Sequence, residues 1–77
     1  MSRAETNDTG TDADEMRRFL RALSVSGGSS PSRHRNMPIA TRAQDRVRRK
    51  ARALGWATFA KGEWRITDDG RSALEQQ

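Results

Sequence analysis

Between Thr41 and Leu54 the chain places Arg42, Arg46, Arg48, Arg49, Lys50 and Arg52 against a single carboxylate, Asp45. Thirteen of the fifteen cations in the chain are Arg, whose planar fork of donors fits pairs of oxygens on phosphate or carboxylate. The chemistry on offer is therefore anion recognition. Bond-making chemistry lacks its parts. With no Cys there is neither a disulfide nor a thiolate metal site, and a reducing cytoplasm is the expected compartment. His34 is the one His, so a Ser-His-acid triad or a His-rich metal site has no ligands to draw on. The carboxylate pairs Asp14-Glu15 and Asp68-Asp69 fall at expected helix starts, where capping accounts for them. No Gly-rich phosphate loop and no nucleophile beside a base are found, so no catalysis, cofactor, metal or small-molecule substrate is expected.

Charge is unevenly spread. Residues 1–15 set Arg3 against Glu5, Asp8, Asp12, Asp14 and Glu15, a net of −4. Residues 16–66 carry thirteen cations against Asp45 and Glu63, a net of +11, and residues 67–77 carry Arg71 against Asp68, Asp69 and Glu75, a net of −2. The formal total of +5 is thus a basic centre between two acidic ends. A total length of 77 residues allows one small domain. Apolar runs are too short for a membrane span or a signal-peptide core.

The elements that position the cations follow from periodicity. Residues 1–11 are almost without apolar side chains and are expected to be a disordered acidic tail, with one domain over 12–77. Asp12 as N-cap with Glu15 three residues on predicts a first helix. Its apolar stripe is Met16, Phe19, Leu20 and Leu23, and Ser26-Gly27-Gly28 ends it. Ser30-Pro31 opens a segment that reads equally as a loop, one helical turn or a short helix over residues 31–37. Thr41 and Gln44 form a second capping-box pattern, starting a helix at Arg42 that Gly55 ends. Ala43, Val47, Ala51 and Leu54 are its expected core stripe, with Arg42, Asp45, Arg46, Arg49 and Arg52 opposite. Like charges at i, i+4 each cost a few tenths of a kcal/mol, roughly, which points to a functional reason for that face. Residues 56–67 read as a hairpin turned at Lys61-Gly62, with Trp64 and Ile66 alternating with Glu63 and Arg65. Trp56, Phe59 and Trp64 are expected to pack in the core, with stacking on single-stranded nucleic acid as the alternative. Thr67-Asp-Asp-Gly70 caps a short last helix that returns Leu74 to the core.

Two stretches in this order resemble the winged helix-turn-helix domain of bacterial transcriptional regulators. Asp45-Arg-Val-Arg-Arg-Lys-Ala-Arg-Ala-Leu-Gly-Trp-Ala57 is similar to a recognition helix ending in Leu-Gly and leading into a wing. Gly62-Glu-Trp-Arg-Ile-Thr-Asp-Asp-Gly-Arg-Ser-Ala-Leu74 resembles the wing's return strand and the Thr-capped helix after it. The resemblance implies a mainly α fold with a small β-hairpin (α+β), and a second helix near Ser32–Met37, where Arg33 and His34 depart from the family's apolar or small residues. It implies a non-enzymatic, sequence-specific binder of double-stranded DNA, a regulator in a small operon or mobile element. A reader of 77 residues has room for few contacts, so a homodimer on DNA is expected. Thr41, Arg42, Gln44, Asp45, Arg46, Arg49 and Lys50 on the third helix would meet bases and phosphates in the major groove. Lys61 and Arg65 on the wing, and Arg33 and Arg35 before the helix, would meet flanking backbone. The competing expectation is a protein-binding module on the same fold, such as a phage or mobile-element inhibitor that occupies an acidic or nucleic-acid-binding protein. Charge alone does not separate the two.

Overall fold

A computed structural model describes the backbone of residues 3–76 and the side chains of residues 12–76. Residues 3–11, expected as part of a disordered tail over 1–11, have a helical backbone instead, and their side chains lie outside those described. The chain forms a small α+β unit in the order α1 (Arg3–Val25), β1 (Ser29–Pro31), α2 (Arg42–Leu54), β2 (Ala57–Ala60), β3 (Glu63–Ile66) and α3 (Asp68–Glu75).

Met16, Phe19, Leu20 and Leu23 of α1 are all buried, as their i, i+3, i+4, i+7 spacing predicts. Asp12 lies inside α1, however, so it is not the N-cap expected of it. Both α1 and α2 close on the same backbone motif, in which a left-handed residue lets two amides return to the last turn. In α1, Gly27 (φ +82°) donates to the Ser24 carbonyl and Gly28 to that of Leu23. In α2, Gly55 (φ +80°) donates to Arg52 and Trp56 to Ala51. Side-chain-bearing residues pay a steric cost at such angles, so the glycines fix where the helices stop.

The three strands form one antiparallel sheet in the order β1-β3-β2. The hairpin turns at Lys61-Gly62, and its register sets Phe59 opposite Trp64 and Thr58 opposite Arg65. Strand β1 was not legible from the sequence: Ser29-Ser30-Pro31 has turn composition, yet it pairs Ser29 with Arg65 and Ser30 with Trp64. Tertiary pairing overrides local propensity here, and Pro31 is tolerated because β1 is an edge strand. Residues 32–41 form turns and extended chain with no helix, so the second helix implied near Ser32–Met37 is not formed. Two turn hydrogen bonds, His34 N–H to Pro31 and Met37 N–H to His34, nonetheless bring Met37 into the core.

The core lies where α1 and α2 pack over one face of the sheet. Phe19 meets Trp64 edge-on, with ring centroids 5.0 Å apart, and Val47, Ala51, Ala57 and Ile66 complete the contact. The buried stripe of α2 differs from expectation. Leu54 is 47% exposed and Ala43 only half-buried, whereas Gln44 and Arg48 are buried with Val47 and Ala51. The face 44-47-48-51 keeps the helical spacing but is rotated by part of a turn. The expected stripe offered only Ala and Val at its centre, and the long stems of Gln44 and Arg48 fill space that those side chains leave. Among the described residues no helix is long and apolar enough to cross a membrane.

Candidate nucleic-acid interface

Thr41 starts α2 by accepting the Gln44 amide on its side-chain oxygen at 3.2 Å, and this fixes which helix face meets solvent. With Val47 and Ala51 against α1 and the sheet, Arg42, Asp45, Arg46 and Arg49 come together around a shallow recess on the outer crown of the helix. Arg42 and Arg49 make no ion pair among the described residues. Lys50 lies one turn beyond Arg46, on the flank facing α1, where a second recess has Met16, Val47 and Trp56 as its apolar floor.

On that flank Asp12 reaches the crown. Its carboxylate accepts from Arg46 Nη2 at 2.7 Å and Nε at 3.4 Å, a two-point contact between α1 and α2. The hydrogen bond from Arg46 holds the Asp12 carboxyl below its ordinary value, with the positive charges of Arg46 and Lys50 acting in the same sense. An internal carboxylate thus already sits on one of the crown cations.

Gln44, expected to reach a base, is 0% exposed and does not face solvent. Its amide nitrogen donates to the Glu15 backbone carbonyl at 2.9 Å and to Glu15 Oε1 at 2.5 Å, while its oxygen accepts from Arg48 Nε at 3.3 Å. Its place among the contact residues is therefore corrected: it braces α2 from beneath. Thr41 is exposed, but its oxygen is engaged in the cap.

The hairpin cations divide. Lys61 stands at the turn with φ +53°, exposed, and Arg65 points from the sheet face opposite Trp64, within 4.0 Å of Glu63. Arg65 therefore does not share a surface with the groove beside α2. Arg33 and Arg35 are exposed on the turn segment before α2, and His34 between them accepts the Asn36 amide on Nδ1.

Two cations outside the expected set form a separate arrangement. Arg48 is only 6% exposed and lies 5.4 Å from the Phe19 ring centroid; Arg52 lies 5.8 Å from that of Phe59. Together with Asp45, Arg49, Phe59 and Trp64 they line a groove of about 350 Å³ between α2 and the hairpin. Burial pushes the Arg48 guanidinium below its ordinary value, and the charge of Asp45 partly restores it. The spacing 45-48-49-52 puts these residues on one helical flank, a signal available in the sequence once the hairpin is set beside it.

No protein family matches the chain, and no curated protein or solved structure matches it either.

Proposed function

We propose that this chain is a small winged helix-turn-helix protein that binds double-stranded DNA through α2, a non-enzymatic transcriptional regulator acting in the cytoplasm as a homodimer. The observation that carries the reading is the crown of α2. Arg42, Arg46 and Arg49 stand together on one exposed face, stacked with the wrong sign for helix stability and the right sign for a phosphate backbone. Arg forks also fit guanine edges, and Asp45 among them can accept from cytosine.

The hairpin supports the same reading. A non-glycine residue at φ +53° is strained, yet the turn keeps Lys61 there, which puts a cation at the tip of a wing. The turn segment takes over the bracing that a second helix would supply: Arg48 Nη2 donates to the Pro38 carbonyl at 2.9 Å, tying the segment to α2. A dimer supplies the second half-site that so small a reader lacks.

Anisotropy of a random-sequence duplex across a salt series tests this reading. Binding should fall steeply with salt, and the double variant Arg46→Ala, Arg49→Ala should flatten the log–log slope by about two units. No binding at low salt rejects it.

A protein partner is the second reading, and the Asp12–Arg46 contact favours it, because the crown takes a carboxylate as readily as a phosphate. An acidic protein that binds the crown in place of duplex would establish it.

A further inference from the structure

We propose that the groove between α2 and the hairpin is a nucleotide site, holding the phosphate of an unpaired nucleotide on Arg48, Arg49 and Arg52 and its base against Phe59 and Trp64. The proposal rests on the nucleic-acid reading of α2 but concerns the adjoining flank of the helix, which shares Asp45 and Arg49 with the crown.

Arg48 carries the argument. Its guanidinium is withdrawn from water, and the acceptors it finds are neutral: Gln44 Oε1 at 3.3 Å and the Pro38 carbonyl at 2.9 Å. Among the described residues no carboxylate forms an ion pair with it. A buried charge with no carboxylate in ion-pair contact is costly, and a fold selected for stability alone would pair it closely or replace it with an apolar side chain. Instead the neighbouring positions on the same wall are Arg49 and Arg52, and one carboxylate, Asp45, faces three guanidiniums. One carboxylate leaves that wall with an excess of two positive charges, and phosphate is an anion whose oxygens three forks can share.

The facing wall specifies what the phosphate is attached to. Phe59 and Trp64 lie with ring centroids 4.7 Å apart, and the planar guanidinium of Arg52 covers Phe59. The two rings are tilted by 42°, and with Trp64 buried beneath it the half-buried Phe59 offers the aromatic face. An aromatic face beside a cationic wall matches a base joined to a phosphate, and about 350 Å³ holds more than the bare ion. The base takes the place over Phe59 as Arg52 turns to the phosphate. Asp45 at the rim then accepts from an exocyclic amine or a sugar hydroxyl. The outer crown accounts for Asp45 and Arg49 but not for Arg48, which is buried on the hairpin side and cannot reach a duplex lying across Arg42 and Arg46.

A free mononucleotide and an unpaired nucleotide in a strand share this chemistry, and one titration separates them. Trp56 does not line the groove, so the full chain carrying Trp56→Phe leaves Trp64 as the fluorescent reporter. AMP, adenosine, inorganic phosphate, a short single-stranded oligonucleotide and a blunt duplex are titrated in parallel. AMP or the oligonucleotide should change Trp64 emission saturably, with adenosine and phosphate at least about tenfold weaker. Arg52→Ala and Arg48→Lys should each weaken the response about tenfold with the far-UV spectrum unchanged. A tighter response to the oligonucleotide assigns the site to a strand, and an equal or tighter response to AMP assigns it to the free nucleotide. No response to either at millimolar concentration, or an affinity untouched by Arg52→Ala, overturns the site. Duplex binding without a nucleotide response overturns this site alone, whereas a nucleotide response without duplex binding overturns the DNA reading alone.

Discussion

The Gln44 side-chain amide donates to the backbone carbonyl of Glu15, joining α2 to α1 across 29 positions of sequence. The same nitrogen meets Glu15 Oε1, and the amide oxygen holds Arg48. A fully buried amide with three partners locks the angle between the two helices and sets which cations face out. Gln44→Ala leaves the Glu15 carbonyl and the Arg48 guanidinium without those partners, so it should cost about 2–3 kcal/mol in urea denaturation. A cost under about 0.5 kcal/mol, the scale of a surface change, would show that the network is not holding the helices.

Gly70 should be irreplaceable although it sits in a helix. It lies in the first turn of α3, buried, and a Cβ there would run into the Trp56 carbonyl oxygen and lie 2.8 Å from Ile66 Cγ1. The main obstacle is backbone and cannot swing aside. Gly70→Ala should therefore lower stability by about 1–3 kcal/mol, against the gain of up to about 1 kcal/mol that Ala brings to an open helix position. Thermal melting reads the sign, and a raised midpoint refutes the close approach.

The two helix caps should differ in cost. Thr41 accepts one amide, from Gln44, whereas Thr67 accepts the Gly70 amide at 3.0 Å and also donates to the Gly55 carbonyl at 2.6 Å. Thr67 thereby joins the end of α2 to the start of α3. Thr41→Ala should cost about 1 kcal/mol and Thr67→Ala about 2 kcal/mol in denaturant titrations. Equal costs would mean that the bond to Gly55 adds nothing.

What the sequence made legible was local. The α1 stripe, the two glycine-terminated helices, the Lys61-Gly62 hairpin and the Thr67 cap each follow from residues within a few positions of one another. What it hid depends on distant partners. Ser29-Ser30-Pro31 becomes a strand because β3 offers an edge, and Gln44 is buried because Glu15 supplies acceptors for it. A helix wheel of α2 alone ranks Leu54 above Arg48 for burial, since it counts apolarity and not the carbonyl of Pro38 that meets the guanidinium. For the candidate site, the crown cations Arg42, Arg46 and Arg49 were legible from periodicity. The groove cations needed the register that sets Phe59 beside Trp64.

The Asp12–Arg46 contact makes the basic crown sensitive to the chain's own acidic end. Because Asp12 titrates lower in the folded protein than in the unfolded one, the pair's contribution is fully present above about pH 4, the ordinary carboxyl value. It is lost as pH falls through the lowered folded value. Asp12→Asn should remove that part of the acid transition while leaving the melting temperature at pH 7 little changed, since both partners are about half exposed. The same substitution takes a negative charge off the crown. It should raise duplex affinity a few-fold at low salt, with the gain fading at high salt. Anisotropy of wild type and Asp12→Asn on one duplex checks this, and an affinity that is unchanged or lower would show that Asp12 does not compete for Arg46.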